Sequence, residues 1–212
     1  MTDVQDRLEK TPVVPLVQAD DTAIAIDTSR ALAAGGLGVI EVVFRTDRAL
    51  ECLAAVVREL PDLVAGAGTV LTADQARAAL DAGASFIVSP GLDDAVVKVA
   101  QDASVPVYPG IVTPTELQRA VNLGLNVVKF FPASIAGGIP ALRALSSVFR
   151  SVRFMPTGGV SVGNLGDFLS LPSVLACGGS WLTPADAIKA GHYERVTELA
   201  SEAAGIAKNS RG

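Results

Sequence analysis

The sequence predicts one (β/α)8 (TIM) barrel with a short N-terminal helix, and three observations predict it. The chain has 212 residues, half of them hydrophobic and 18% charged, a globular composition with enough length for one sizeable core. Short apolar runs alternate with helical stretches along the whole chain, making eight strand-helix units near the lower size limit of about 200 residues for such a barrel. Those runs lack period-two alternation, as do strands of a parallel sheet buried on both faces. A doubly wound sheet is the alternative. It calls for a Gly-rich phosphate loop after its first strand, whereas Val17 is followed by Gln18-Ala19-Asp20. No linker or composition shift divides the chain, so residues 1–212 are expected to form a single domain.

In order, Thr2 is expected to cap a short helix with Val4 and Leu8 on one face, ended by Pro12. The first strand is 13–17. Asp20 and Asp21 open a helix to about residue 34, closed by Gly35-Gly36. The second strand is 38–44, and Thr46 is expected to cap a helix to about residue 60, stopped by Pro61. The pattern then repeats: strand 63–68 and helix 72–82, strand 85–89 and helix 93–102, strand 105–109 and helix 113–123. Strand 126–131 precedes helix 139–149, and strand 152–156 precedes helix 163–170. Strand 173–178 precedes a last helical region over 184–208.

Composition and charge exclude several function classes. The net charge is −5 and no Lys/Arg cluster occurs, which argues against nucleic acid or an anionic membrane as partner. The longest uncharged stretch, between Asp167 and Asp186, is broken by Pro172, Gly178, Gly179 and Pro184, so no membrane span is expected. The first ten residues carry Asp3, Asp6 and Glu9 and lack the apolar core of a signal peptide. Cys52 and Cys177 lie far apart in apolar contexts and read as reduced core thiols of a cytoplasmic protein. With one histidine, His192, and no cysteine cluster, no metal site is expected. A Ser-His-Asp triad would need His192, which sits in a polar segment resembling a helix start.

Catalysis in such barrels sits at the C-terminal ends of the strands. The polar residues there are few. Glu41, Val43 and Arg45 share one parity at the end of strand two, and Lys129 and Phe131 share one parity at the end of strand six. Lys129 stands inside Val127-Val128-Lys129-Phe130-Phe131-Pro132, an apolar run. Burial disfavours a charged ammonium, and a partly neutral amine is a nucleophile able to form a Schiff base with a carbonyl. A solvated edge-strand lysine, or a buried ion network among Glu41, Arg45 and Lys129, is the bland alternative; such networks add little net stability. The functional reading is a lysine nucleophile, a carboxylate proton shuttle and an arginine that can hold a substrate carboxylate. Gly158-Gly159 and Gly178-Gly179-Ser180 end strands seven and eight, where backbone N–H groups in Gly-rich turns bind phosphate.

The motifs Ile40-Glu41-Val42-Val43-Phe44-Arg45-Thr46, Gly66-Ala67-Gly68-Thr69-Val70-Leu71 and Ser89-Pro90-Gly91 occur in this order. Val128-Lys129-Phe130-Phe131-Pro132-Ala133, Pro156-Thr157-Gly158-Gly159 and Gly178-Gly179-Ser180-Trp181-Leu182 follow. Together they resemble the 2-keto-3-deoxy-6-phosphogluconate (KDPG) aldolase family, many of whose members also cleave 4-hydroxy-2-oxoglutarate (KHG). The resemblance runs from about Pro12 to the end. It implies a class I aldolase without cofactor or metal, acting on a small 2-keto acid in the cytoplasm, as a homotrimer.

By that resemblance Lys129 is the Schiff-base lysine, Glu41 the general acid/base and Arg45 an arginine near the pyruvate carboxylate. Thr69 binds pyruvate, Pro90 and Phe131 wall the pocket, and Thr157 lies near the substrate hydroxyls. Gly158, Gly159, Gly179 and Ser180 form the phosphate end. Two positions depart from the family: threonine is common where Val43 stands and glutamate where Ser134 stands. Other readings remain at this stage. One is an aldolase for the galactonate-derived epimer. Another is a sugar-phosphate isomerase or epimerase on the same barrel. A third is a non-catalytic sensor of phosphorylated sugar acids.

Overall fold

The computed structural model describes residues 3–210. Thr2, expected to cap the first helix, lies outside the described residues. The elements run α1 (Asp3–Lys10), β1 (Val13–Val17), α2 (Thr22–Ala34), β2 (Val39–Val43), α3 (Ala49–Glu59) and β3 (Val64–Gly68). Then come α4 (Ala73–Asp81), β4 (Ile87–Ser89), α5 (Asp94–Asp102), β5 (Val107–Ile111), α6 (Pro114–Asn122) and β6 (Val127–Phe130). The chain ends with α7 (Gly138–Val148), β7 (Arg153–Pro156), α8 (Leu165–Leu169), β8 (Cys177–Gly179), α9 (Ala185–Lys189) and α10 (Tyr193–Ser210).

The eight strands pair in parallel in the order β7-β6-β5-β4-β3-β2-β1-β8. The seam between β7 and β8 is closed by two isolated parallel bridges, Phe154 with Val174 and Thr157 with Gly178. Phe154 N donates to Ser173 O and Leu175 N to Phe154 O along that seam. The expected barrel is therefore formed.

Side-chain caps fix four of the helix starts. Asp21 accepts from Ala23 N and Ile24 N, Thr72 from Gln75 N and Asp93 from Val96 N. Thr113 and Glu116 form a reciprocal capping box at the start of α6. The expected cap at Thr46 is not made. Its hydroxyl donates instead to Ala19 O at 2.7 Å, tying the β2–α3 loop to the end of β1, and α3 begins only at Ala49. The last helical region is two helices, because Gly191 takes φ +75° between α9 and α10. Strand β8 begins at Cys177 rather than 173, since Ser173 and Val174 serve the seam.

Two apolar layers result. The outer one lies between strands and helices. The inner one fills the lower lumen with Val14, Val39, Val64, Phe86, Tyr108, Val127 and Met155, onto which α1 lays Val4 and Leu8. Burying a leucine such as Leu8 contributes about 1.5–3 kcal/mol. Arg153 at the lower end of β7 meets Glu9 of α1 at 2.9 Å. This packing plugs the bottom of the lumen. Cys52 and Cys177 are buried and not joined in a disulfide, and burial pushes the Cys52 thiol up.

Candidate active site

The lumen changes character one layer above that core. Glu41 from β2 and Lys129 from β6 both point inward, at 2% and 3% exposure. Lys129 Nζ lies 3.7 Å from Glu41 Oε1, and that oxygen accepts no hydrogen bond among the described residues. The separation exceeds a direct hydrogen bond and matches a contact bridged by a water or a substrate atom. Glycine makes the room. A Cβ at Gly68 would overlap the Glu41 carboxylate, and one at Gly66 would overlap the Phe86 ring. Gly110, paired in register with Lys129, has the Pro90 carbonyl where its Cβ would be. Lys129 Nζ also sits 5.2 Å from the Phe131 ring centroid, close enough for the ring face to attract the cationic form.

Arg45 does not join the buried pair. β2 ends at Val43, Phe44 N donates to Gly68 O, and Arg45 stands in the exposed turn that follows. The alternative of a buried network of Glu41, Arg45 and Lys129 is not formed: the buried pair stands alone, with the arginine at the rim. The rim position spares the guanidinium the cost of burial. Its Nε donates to Thr69 Oγ1 at 3.1 Å. Thr69 has φ +59°, a left-handed conformation that non-glycine residues rarely hold outside functional sites.

On the opposite rim Thr157, 6% exposed, ends the β7 side of the lumen and donates to Met155 O at 3.4 Å. A Cβ at Gly178 would overlap Thr157 Oγ1, so the threonine and the bare glycine share one space. Pro90 follows β4, whose Ser89 hydroxyl donates to Gly91 O at 2.7 Å. Gly158 and Gly159 both have positive φ, +93° and +80°. Gly179 is buried with the Trp181 ring lying where a Cβ would be, and Ser180 is exposed beside it. A cavity of about 490 Å³ opens at this upper end, with Leu16, Val43, Arg45, Ser180, Thr183 and Lys189 in its wall.

The sequence reading had not anticipated several supporting residues. Gly66, Gly68 and Gly110 clear the lumen; the glycines of β3 recur at every second position, which is the legible sign of a bare inner face. Ser134 does not cap α7, whose N-cap is Gly137; its hydroxyl donates to Gly159 O at 2.9 Å. Asn164 donates to the same carbonyl at 3.0 Å. Lys189 shares a cavity wall with Arg45. Among the described residues no group of three or more His, Cys, Asp or Glu side chains could hold a metal, and no helix is long and apolar enough to cross a membrane.

The arrangement pairs an enclosed amine with an enclosed carboxylate and surrounds them with an arginine, two hydroxyls and glycine turns. Such a site can condense with a carbonyl, move a proton and hold anions at two ends.

Comparison with known proteins shows the family. The family model for KDPG and KHG aldolase matches residues 4–199. The KHG/KDPG aldolase of Escherichia coli strain K12 is 45% identical over 207 residues, covering 98% of this chain and 97% of that one. The crystal structure of KDPG aldolase from Legionella pneumophila, with pyruvate captured at low pH as a covalent carbinolamine intermediate, has a TM-score of 0.90 and 39% identity, covering 94% of this chain and 97% of that one. The KDPG aldolase of Zymomonas mobilis ZM4 with 3-phosphoglycerate has a TM-score of 0.89 and 40% identity, covering 96% of each chain.

Proposed function

The chain belongs to the KDPG and KHG aldolase family and is an aldehyde-lyase, and from that premise we propose that it cleaves KDPG to pyruvate and glyceraldehyde 3-phosphate through a Schiff base on Lys129. The observation that carries the reading is the enclosed pair, Lys129 Nζ 3.7 Å from a Glu41 oxygen that has no other partner among the described residues.

The Lys129 amine attacks the C2 carbonyl of the 2-keto acid, and the carbinolamine loses water to a protonated imine. Glu41, directly or through a water, takes the proton of the C4 hydroxyl. The C3–C4 bond breaks, its electrons pass into the imine, and the aldehyde leaves. The enamine that remains takes a proton at C3 and is hydrolysed to pyruvate and free lysine. Arg45 and Thr69 hold the carboxylate at one rim. Pro90 and Phe131 wall the pocket. Thr157 faces the C4 hydroxyl and discriminates between its two configurations, and the names of the relatives favour the gluconate-derived over the galactonate-derived substrate. Gly158, Gly159, Gly179 and Ser180 receive the phosphate. KHG is the second substrate, giving pyruvate and glyoxylate. The covalently held pyruvate in the Legionella enzyme and the phosphorylated three-carbon acid in the Zymomonas enzyme support transferring these roles.

The assembly is a cytoplasmic homotrimer in this reading. Ile135 and Val148, 86% and 73% exposed, are the kind of apolar surface that a subunit contact would cover.

The test is covalent trapping. Incubation with pyruvate and borohydride is expected to add one three-carbon unit to Lys129, located by peptide mass spectrometry. Modification at Lys98 or Lys189 instead, or no adduct, overturns the mechanism.

A further inference from the structure

We infer that Ser134 and Asn164 are positioning residues: by gripping the Gly159 carbonyl with their side chains, they fix the last of three successive backbone N–H groups aimed at an anionic group of the substrate. The inference rests on the phosphate end proposed above, and it concerns what holds that end in shape.

Three carbonyls in succession are taken by donors from outside the turn. Ala133 N donates to Thr157 O at 2.8 Å, and Ser134 N to Gly158 O at 3.0 Å. Gly159 O accepts twice, from Ser134 Oγ at 2.9 Å and from Asn164 Nδ2 at 3.0 Å. Asn164 is itself oriented, since its Oδ1 accepts from Ser161 N at 2.8 Å. A trans peptide is planar, with its C=O and N–H pointing in opposite directions. Drawing these three carbonyls toward the β6–α7 loop and Asn164 therefore turns the N–H groups of Gly158, Gly159 and Val160 the other way. That is the side of β7 on which Thr157 bridges Gly178 and β8 ends in Gly179.

Those N–H groups are uncommitted. Among the described residues none of the three donates to an acceptor within the chain. Successive backbone N–H groups presented by such a turn attract anions. The first two peptides are held by backbone donors, which no substitution removes. The third, Gly159–Val160, is held by side chains alone and is the one a variant can release. The grip also explains the second glycine: a Cβ at Gly159 would overlap the Ser134 hydroxyl.

The experiment compares wild type with Ser134→Ala, Asn164→Ala and Ser134→Thr, in two readouts. In the first, inorganic phosphate is titrated into 15N-labelled protein. It is expected to shift the Gly158, Gly159 and Val160 amides, with binding weakened about three- to tenfold in each alanine variant, as the loss of one hydrogen bond implies. Ser134→Thr, which keeps the hydroxyl, is expected to bind as wild type does. In the second, KM for KDPG is expected to rise by the same factor in the alanine variants, with KM for KHG and kcat for both little changed. Absence of amide shifts in wild type, undiminished phosphate binding in both alanine variants, or equal losses on both substrates would overturn the inference. If wild type cleaves neither keto acid yet phosphate still moves these amides in a Ser134- and Asn164-dependent way, the aldolase reading fails and this one stands.

Discussion

At the scale of single residues, the chemistry depends on where bulk is absent as much as on where charge is present. Glu41 reaches Lys129 only because Gly68 leaves its carboxylate a place to lie. Glu41→Gln preserves that shape and removes the proton acceptor. It is expected to leave the borohydride-trapped adduct measurable while turnover falls by about 100- to 10,000-fold, the usual loss when an acid/base group is removed. Turnover within a few-fold of wild type would assign the proton to another group. The inward aim of both residues was legible from strand parity. Arg45 shares their parity but not their burial, because the strand stops at Val43 and the arginine falls in the turn. The grip of Asn164 on Gly159 had no sequence signal, since it depends on how the turn folds back.

At the scale of elements, capping residues placed helix starts well where their side chains had no better partner. Asp21, read as opening its helix, caps it, and Thr72, Asp93 and Thr113, read as first helical residues, stand one position earlier as caps. Thr46 does not cap, because a carbonyl at the end of β1 competes for its hydroxyl, a contact 27 residues away that local pattern cannot reveal. The capping box of α6 has a measurable pH signature. Partial burial pushes the Glu116 carboxyl up, but hydrogen bonds from Thr113 N, Val112 N and the Thr113 hydroxyl outweigh it and hold the carboxyl below its usual range. A carboxyl lowered in the folded state stabilises above its unfolded value, about 4.3, and that stabilisation is lost as pH falls through the folded value. Glu116→Ala is therefore expected to cost about 0.5–1.5 kcal/mol at pH 7, the net worth of a hydrogen bond. Urea unfolding at pH 7 and near pH 3 checks this. The gap between wild type and variant should narrow at the acid end, and a gap independent of pH would assign the box to packing rather than charge.

At the scale of the whole molecule, eight units in order were enough to read the barrel, because buried parallel strands and short connections leave few other closed arrangements. The seam was not readable: 173–178 is one apolar run, yet its first part bridges β7 and only its last two residues, with Gly179, form β8 with β1. Assembly is the remaining property at this scale. Light scattering on the purified chain is expected to give three times the 21.7 kDa of one copy. Ile135→Asp, which puts a charge on the most exposed of the large apolar side chains, is expected to shift that mass downward without unfolding the subunit. A wild-type mass of 21.7 kDa would remove the homotrimer.

The reactive pair spans the barrel's diameter. In an eight-membered ring β2 and β6 face each other, so the 3.7 Å between Lys129 and Glu41 is what remains of the cross-section after two side chains have reached inward from opposite walls. That gap behaves as a caliper on the ring. Any change that rounds or flattens the section, including loosening at the thinly bridged β7–β8 seam, alters it without touching either residue. In the proposed mechanism both groups must reach one bound substrate, so the reaction rate is expected to register the roundness of the whole ring. A small distortion on a far strand can silence the enzyme while every helix remains folded.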